Sequence, residues 1–249
     1  MEHYLELVEA VAFSHPKSYM EENEDAILPA LITKNAIFIA LADGVGGSNG
    51  GSTASNIAIS TVRREIIDNP DCNLKDIFNK VSSNINIEAE KQTNKKDMAT
   101  TLVICKITSG KVEIASAGDS RAYLIEGKSA NKLTTDHTKK QELIDSGIFK
   151  SSELKGHYSG NLLTNSLRAN KKFKVDIETY ESNSGSIVIV SDGVYEYFDG
   201  TRIVGNSSED NLLQVCSKLK KRVLKKGPHD DFSLVAVRFK SGCKEIKSD

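Results

Sequence analysis

The 249-residue chain lacks an excess of either charge, with 33 Lys and Arg against 34 Asp and Glu and a net charge of −1. That balance excludes an overall basic field for nucleic acid or an anionic membrane, so any phosphate must be gripped locally. Long hydrophobic runs are also missing. AIFIALA and SIVIV fall far short of the ~20 residues a membrane helix needs, and the opening MEHYLELVEAVAF is acidic rather than led by Lys or Arg. A cytoplasmic location with no membrane partner is the resulting expectation. Four cysteines, Cys72, Cys105, Cys216 and Cys243, form no CxxC pair, which fits reduced packing thiols better than a zinc site or a disulfide framework. Four prolines provide no Pro-rich linker, and no repeat or low-complexity tract divides the chain. One domain over residues 1–249 follows, with 39% apolar residues to build its core and a short polar tail over about 240–249.

What is present is a set of short strands that end on acidic residues. Ala36 to Ala42 is an apolar run stopped by Asp43-Gly44, and Ile187 to Val190 is stopped by Asp192-Gly193, which reads as a buried strand and then a turn in both places. Lys111 to Ala117 alternates like a half-buried strand and runs into Gly118-Asp119-Ser120, whereas the strand from Phe232 to Phe239 starts just after Asp230-Asp231. Antiparallel pairing brings these ends together. Helices come in blocks. Ala54, Ala58, Val62 and Ile66 recur every four residues; Leu74, Ile77, Phe78, Val81 and Ile85 form a second stripe; Leu212, Val215, Cys216, Leu219 and Val223 mark a helix over roughly 211–226, with Ser207 or Ser208 as candidate caps and Gly227-Pro228 as its stop. A short helix is expected near Gln141. Strands and helices grouped in this way predict an α+β fold with antiparallel sheet.

Glu24, Asp25, Asp43, Asp119, Asp192 and Asp230 therefore gather at strand ends and adjoining turns. Convergent carboxylates repel unless cations lie between them. All-oxygen ligation suits Mg²⁺ or Mn²⁺, and the five histidines show no zinc spacing such as HxxxH. Two such ions ~4 Å apart activate a shared water and clamp the attacking and leaving oxygens of a displacement at phosphorus. Against this stands the simpler view that Asp-Gly is good turn chemistry, which for each pair taken alone is the stronger reading. Rival signals are weaker. Cys216 and Arg222 form C-x₅-R without intervening Gly and on an apolar helix stripe, GVGGSNGGST lacks the Lys of a P-loop, and the basic run from Lys218 to Lys226 reads as a solvated helix face.

The wording around the aspartates decides the matter. NEDA at 23–26, LADGVGGSNGG at 41–51, MATTLV at 98–103, AGDSRAYL at 117–124, LTTDHT at 133–138, NLLTNSLR at 161–168, SDGVYEYF at 191–198 and HDDFSLVAV at 229–237 stand in the order of the metal-dependent type 2C (PPM) protein phosphatases, which this chain resembles over most of its length. The resemblance implies a four-layer α-β-β-α sandwich with two central antiparallel sheets flanked by helices. It also implies a bacterial-type phosphatase of phosphoserine and phosphothreonine that opposes a Ser/Thr kinase, and a monomer. Carried across by position, Asp43 bridges two Mg²⁺ or Mn²⁺ ions, the Gly44 carbonyl binds the second, Asp192 and Asp230 complete the first, and Glu24 and Asp25 act on the second metal's side. Asp119 helps hold a third, weaker metal. The segment of about 139–161 is the variable flap.

The chain departs from the family at several positions. Met20 stands where the family has an Arg that grips the substrate phosphate, with Lys17 and Arg168 as candidate substitutes; Val45, Ala99 and Asp231 replace a His of animal members, a Gly and an Asn. Losing that Arg costs on the order of 1.5–3 kcal/mol of phosphate binding. Two alternatives therefore stay open: a phosphatase-like regulatory or binding protein with weak turnover, and a hydrolase of small phosphoesters.

Overall fold

A computed structural model describes residues 2–45, 50–91, 97–127, 129–150, 153–154, 162–198 and 211–244. Strands β1 (Glu2–His15), β2 (Asp25–Ile32) and β3 (Ile37–Val45) lead into helices α1 (Gly51–Asp68) and α2 (Leu74–Lys91). Strands β4 (Ala99–Thr100), β5 (Leu102–Thr108), β6 (Lys111–Ala117), β7 (Arg121–Glu126) and β8 (Ser129–Lys132) follow, then α3 (Lys139–Asp145). The chain continues through β9 (Leu167–Arg168), β10 (Asp176–Glu181), β11 (Ser184–Val190), α4 (Asp192–Tyr195), α5 (Leu212–Lys226) and β12 (Phe232–Lys244). One sheet has five strands in the order β1-β12-β11-β7-β8, and the other has seven, β10-β6-β5-β3-β4-β9 with β2 on the free side of β3. Every strand pairing described is antiparallel.

Three apolar layers separate the four structural ones, and strand periodicity supplies them. Along β3, Ile37, Ile39 and Leu41 point between the sheets to meet Ile187, Ile189, Val235 and Val237. Phe38, Ala40 and Ala42 point the other way, against the Ala54–Ile66 stripe of α1 and the Leu74–Ile85 stripe of α2. On the second sheet Val188, Val190, Leu234 and Ala236 face Leu212, Val215, Cys216, Leu219 and Val223 of α5. An antiparallel sheet with one wet face alternates polar and apolar residues; here both faces are covered, so AIFIALA and SIVIV read as continuous runs.

Several expectations shift in detail. The cap of α5 is Asn211, whose side chain accepts from the Gln214 N–H at 2.8 Å; Ser207 and Ser208 lie outside the described residues. Gly227 closes the same helix with a positive φ of 83°, as the Gly-Pro stop predicts. The last strand runs on through Lys244, paired with Glu2 of β1, so the segment expected as a tail is sheet for half its length. Neither Asp-Gly is a turn. Asp43 and Gly44 lie inside β3, opposite Asp25 and Thr100, and Asp192-Gly193 opens α4. These glycines serve close packing instead. A Cβ on Gly44 would stand 2.4 Å from the Gly51 carbonyl carbon, and one on Gly193 would stand 1.9 Å from the Asp231 oxygen.

Candidate active site

The acidic ends meet because the strands are antiparallel. Asp25, first in β2, is in register with Asp43 near the end of β3. Val190, last in β11, pairs with Leu234 of β12, which sets Asp192 beside Asp230. A cavity of about 270 Å³ opens there, lined by Glu24, Asp43, Gly44, Asp119, Asp192 and Asp230. Asp25 does not line it. Its carboxyl is buried, with Oδ2 accepting from the Ser191 hydroxyl at 2.8 Å. Among the described residues no three His, Cys, Asp or Glu side chains close into a metal-sized cage; the carboxylates surround a space rather than a point.

Each wall is held by its neighbours. The Asp43 N–H donates to Thr101 Oγ1 at 3.0 Å, and the Asp43 carbonyl accepts from the Thr101 N–H at 2.8 Å and from the Thr100 hydroxyl at 2.9 Å. The two threonines of MATTLV thus fasten the strand end that carries Asp43. Gly118, with φ of 116°, turns the chain toward Asp119, and its N–H donates to Nδ1 of His137 at 3.0 Å. Nε2 of His137 carries the proton toward Asp176 Oδ2 at 2.9 Å, since Nδ1 is accepting. His137 thus bridges the Gly118 turn and Asp176 as a structural residue. Tyr195 donates its hydroxyl to Asp119 Oδ2 at 3.2 Å and lies against the Arg121 guanidinium, 3.6 Å from ring centre to Cζ.

Crowding of like charges sets the electrostatics. Removal from water raises the Asp43 carboxyl well above the usual range, and Asp25, Asp192 and Asp119 add repulsion. Asp192 is raised likewise, by burial and then by Asp119 and Asp230. Burial pushes Asp25 up to about 7 against the hydroxyls of Ser233 and Ser191, with Asp231 and Asp230 adding to the rise. Asp119 is pushed up to about 6 by burial and by Asp136. Such a group either binds protons or binds cations. The donor set fits hard divalent cations: every side chain is an oxygen ligand, and Asp25 Oδ1 is buried with no hydrogen-bond partner in the protein.

Two residues enter the site that sequence reasoning placed loosely or not at all. Lys17 lines the cavity. Its ammonium group rests on Glu21 at 2.9 Å. Met20, 93% exposed, and Arg168 of β9 are not among the residues that line the cavity. Buried Asp231 ties the loop that carries Lys17: Oδ1 accepts from the Lys17 N–H at 2.8 Å and Oδ2 from the Glu24 N–H at 2.6 Å. An Asn held the same way would turn its NH2, a donor, toward one of these two N–H groups. The sequence signal was the Asp itself, two acceptors where the family has one. For Ser191 and Tyr195 the signal was adjacency to Asp192.

Two stacked antiparallel sheets with a carboxylate-lined cleft at one end define a four-layer α+β domain built around an acidic centre. The model of the Protein phosphatase 2C family matches residues 18–226, and the chain belongs to that family. The chain is 27% identical over 188 residues to protein phosphatase PhpP of Streptococcus pneumoniae, which covers 73% of this chain and 76% of that protein. Serine/threonine phosphatase Stp1 from Staphylococcus aureus shares the fold with a TM-score of 0.82 at 22% identity, over 94% of this chain and 95% of that one. The catalytic domain of the phosphatase PstP, solved in complex with two manganese ions, superposes with a TM-score of 0.78 at 22% identity, over 96% and 99% of the two chains.

Proposed function

We propose that this chain is a Mg²⁺- or Mn²⁺-dependent phosphatase of phosphoserine and phosphothreonine in proteins, working opposite a Ser/Thr kinase. The observation that carries the reading is the carboxylate cluster, drawn from the ends of both sheets, with Asp25 Oδ1 left without a partner inside it. Asp43, Asp192 and Asp230 would hold a pair of cations with the Gly44 carbonyl, Glu24 and Asp25 on the second ion's side, and Asp119 would serve a third, weaker one. Cations so held neutralise charge at phosphorus and lower the pKa of an attacking water. A manganese pair in the PstP catalytic domain is in keeping with this donor set.

The chain's own residues supply the rest. Lys17 is the cation at the cavity and binds the phosphate oxygens in place of the Arg that Met20 replaces. It leaves Glu21 to do so, an exchange of one exposed ion pair for another that costs little. Asp231 fixes the backbone from which Lys17 reaches. Val45 and Leu163 form the apolar part of the wall and keep bulk water from the phosphoryl group. Tyr195 orients Asp119 by donating to it, and Thr101 keeps Asp43 in place. Leu163 also pairs with Thr138, the residue before α3, and the flap of about 139–161 takes its start from there. No helix among the described residues is long and apolar enough to cross a membrane; a cytoplasmic monomer of one domain completes the reading.

Turnover of p-nitrophenyl phosphate and of a phosphothreonine peptide, with Mn²⁺ and then with EDTA, tests it. Both are expected to be hydrolysed only with metal. No metal-dependent turnover of either overturns the proposal, and turnover of the small ester alone makes the chain a small-phosphoester hydrolase.

A further inference from the structure

Beyond the acidic cavity the surface changes sign. A groove of about 540 Å³ lies between α2 and the loop that joins β9 to β10, lined by Lys75, Asn79, Lys171, Lys172, Phe173, Lys174 and Val175. Four of these residues are lysines and none is acidic. Lys75, Lys171 and Lys172 form no ion pair among the described residues, whereas Lys174 holds Asp176 at 2.8 Å. Four like charges around one concavity repel each other, in a chain whose net charge is −1.

The loop that presents them is fixed. Asn170 is the one non-glycine described residue with positive φ, 56°, and its N–H donates to Asn86 of α2 at 2.8 Å. Asn165 clamps Lys174 on both sides: its Oδ1 accepts from the Lys174 N–H and its Nδ2 donates to the Lys174 carbonyl, each at 2.9 Å. Phe173 packs against the core between the seven-stranded sheet and α2. The lysines are therefore displayed on a rigid, anchored turn, which lowers the ordering cost of binding. The groove shares a wall with the depression next to it, whose lining comes within one residue along the chain of the cavity's. Lys172, Phe173 and Lys174 line a neighbouring depression of about 440 Å³ with Thr164 and Asn165, and Leu163, next in the chain, is on the cavity wall. The acids of that depression are satisfied: Asp136 by Arg121 and Lys132, Asp176 by His137 and Lys174, Glu142 by Lys139, and Asp145 by Gln141.

We propose that the Lys75–Lys171–Lys172 groove docks an acidic stretch of the protein substrate, at a distance along the chain from the phosphoresidue held in the cavity. This rests on the phosphatase reading above. A peptide occupies it better than nucleic acid, because the basic surface is one short concavity, with no extended stripe and a single aromatic side chain in its lining. Its consequence is selection of substrates by remote negative charge.

The test compares phosphothreonine peptides that share one phosphosite and carry either an acidic or a neutral extension, on each side and at several spacings. The wild-type chain should show a KM about five- to tenfold lower for an acidic extension in at least one arrangement. Lys75→Glu with Lys172→Glu should erase that preference and leave p-nitrophenyl phosphate turnover unchanged. Equal KM values in every arrangement, or a preference that survives charge reversal, overturn the proposal. Fluorescence anisotropy with an unphosphorylated acidic peptide reads docking directly, so a chain that hydrolyses nothing but binds this peptide through the two lysines separates failure of the phosphatase reading from failure of the groove. Tighter binding of a single-stranded RNA of equal charge at the same salt assigns the groove to nucleic acid and overturns the peptide.

Discussion

Asp136 and Asp25 are both buried, 9% and 6% exposed, yet they are kept by opposite means. Asp136 receives Arg121 through Nε at 3.0 Å and Nη2 at 2.6 Å and Lys132 at 3.0 Å. Burial works against its charge, but the two cations win and hold the carboxyl below the usual range. Asp25 takes the Ser191 hydroxyl on Oδ2 at 2.8 Å and has no partner on Oδ1, and it sits among other carboxylates. One aspartate is satisfied by the protein. The other keeps one oxygen unpaired among like charges, the arrangement expected of a ligand in the proposed cation site rather than of a structural ion pair.

The sharpest way to break the comparison is to neutralise one carboxylate from each side. Asp192→Asn is expected to lower phosphatase turnover by at least about a thousandfold while the fold stays intact by circular dichroism. Cys216→Ser, in the α5 core, should leave turnover nearly unchanged. The reverse pattern would make the thiol the nucleophile. Asp136→Asn should instead destabilise the protein by about 2 kcal/mol, because half-buried Arg121 loses its bidentate carboxylate partner; urea denaturation measures it, and Arg121→Met combined with Asp136→Leu should recover part of the loss.

Proton linkage sharpens the contrast next. Asp25, pushed up to about 7, and Asp119, up to about 6, hold protons more tightly folded than unfolded. Their contribution to metal-free stability is full below about pH 4 and is lost as pH rises through 6 to 7. Asp136, held low, contributes above about pH 4 and loses its contribution below it. The Tm of EDTA-treated protein should therefore fall by several degrees between about pH 5 and 8, and Mn²⁺ should remove the fall by binding the ionised cluster. A flat profile without metal would count against the crowded-carboxylate account. The smallest effects concern phosphate capture. Lys17→Ala should raise KM roughly tenfold with little change in kcat, and Lys17→Arg should restore it. Met20→Arg should shift KM less than about twofold, since position 20 points to solvent; a large improvement would show that Lys17 does not hold the phosphate.

Much of this was legible in the residues themselves. The stripes of α1, α2 and α5 and the apolar runs of β3 and β11 were readable because burial on fixed faces repeats with the backbone's own period. Asp43, Asp119, Asp192 and Asp230 were readable because each stood at one end of a strand-like run, and Glu24 and Asp25 were legible in the NEDA wording. Asp25 was named with them, but that it is buried beside Asp43 rather than on the cavity wall depends on the β2–β3 register. The meaning of Asp43-Gly44 and Asp192-Gly193 could not be read locally. Turn chemistry and close backbone packing both ask for Gly, and only the approach of Gly51, Glu24 and Asp231 tells them apart. The flap's residues 151–152 and 155–161 lie outside the described segments.

By itself the sequence determined the three long helices, the strands β3, β6, β11 and β12, the α+β order and the family wording that names the acidic residues, because these follow from periodicity and from residue type; the remaining strands, β1 and β2 among them, emerged only in the fold. The tertiary structure decided that Lys17 rather than Met20 or Arg168 faces the cavity, that Asp231 fixes the loop beneath it, and that Lys75 of α2 joins Lys171 and Lys172 in one groove. Those facts depend on distances between residues far apart in the chain, and no local pattern encodes a distance that only packing sets.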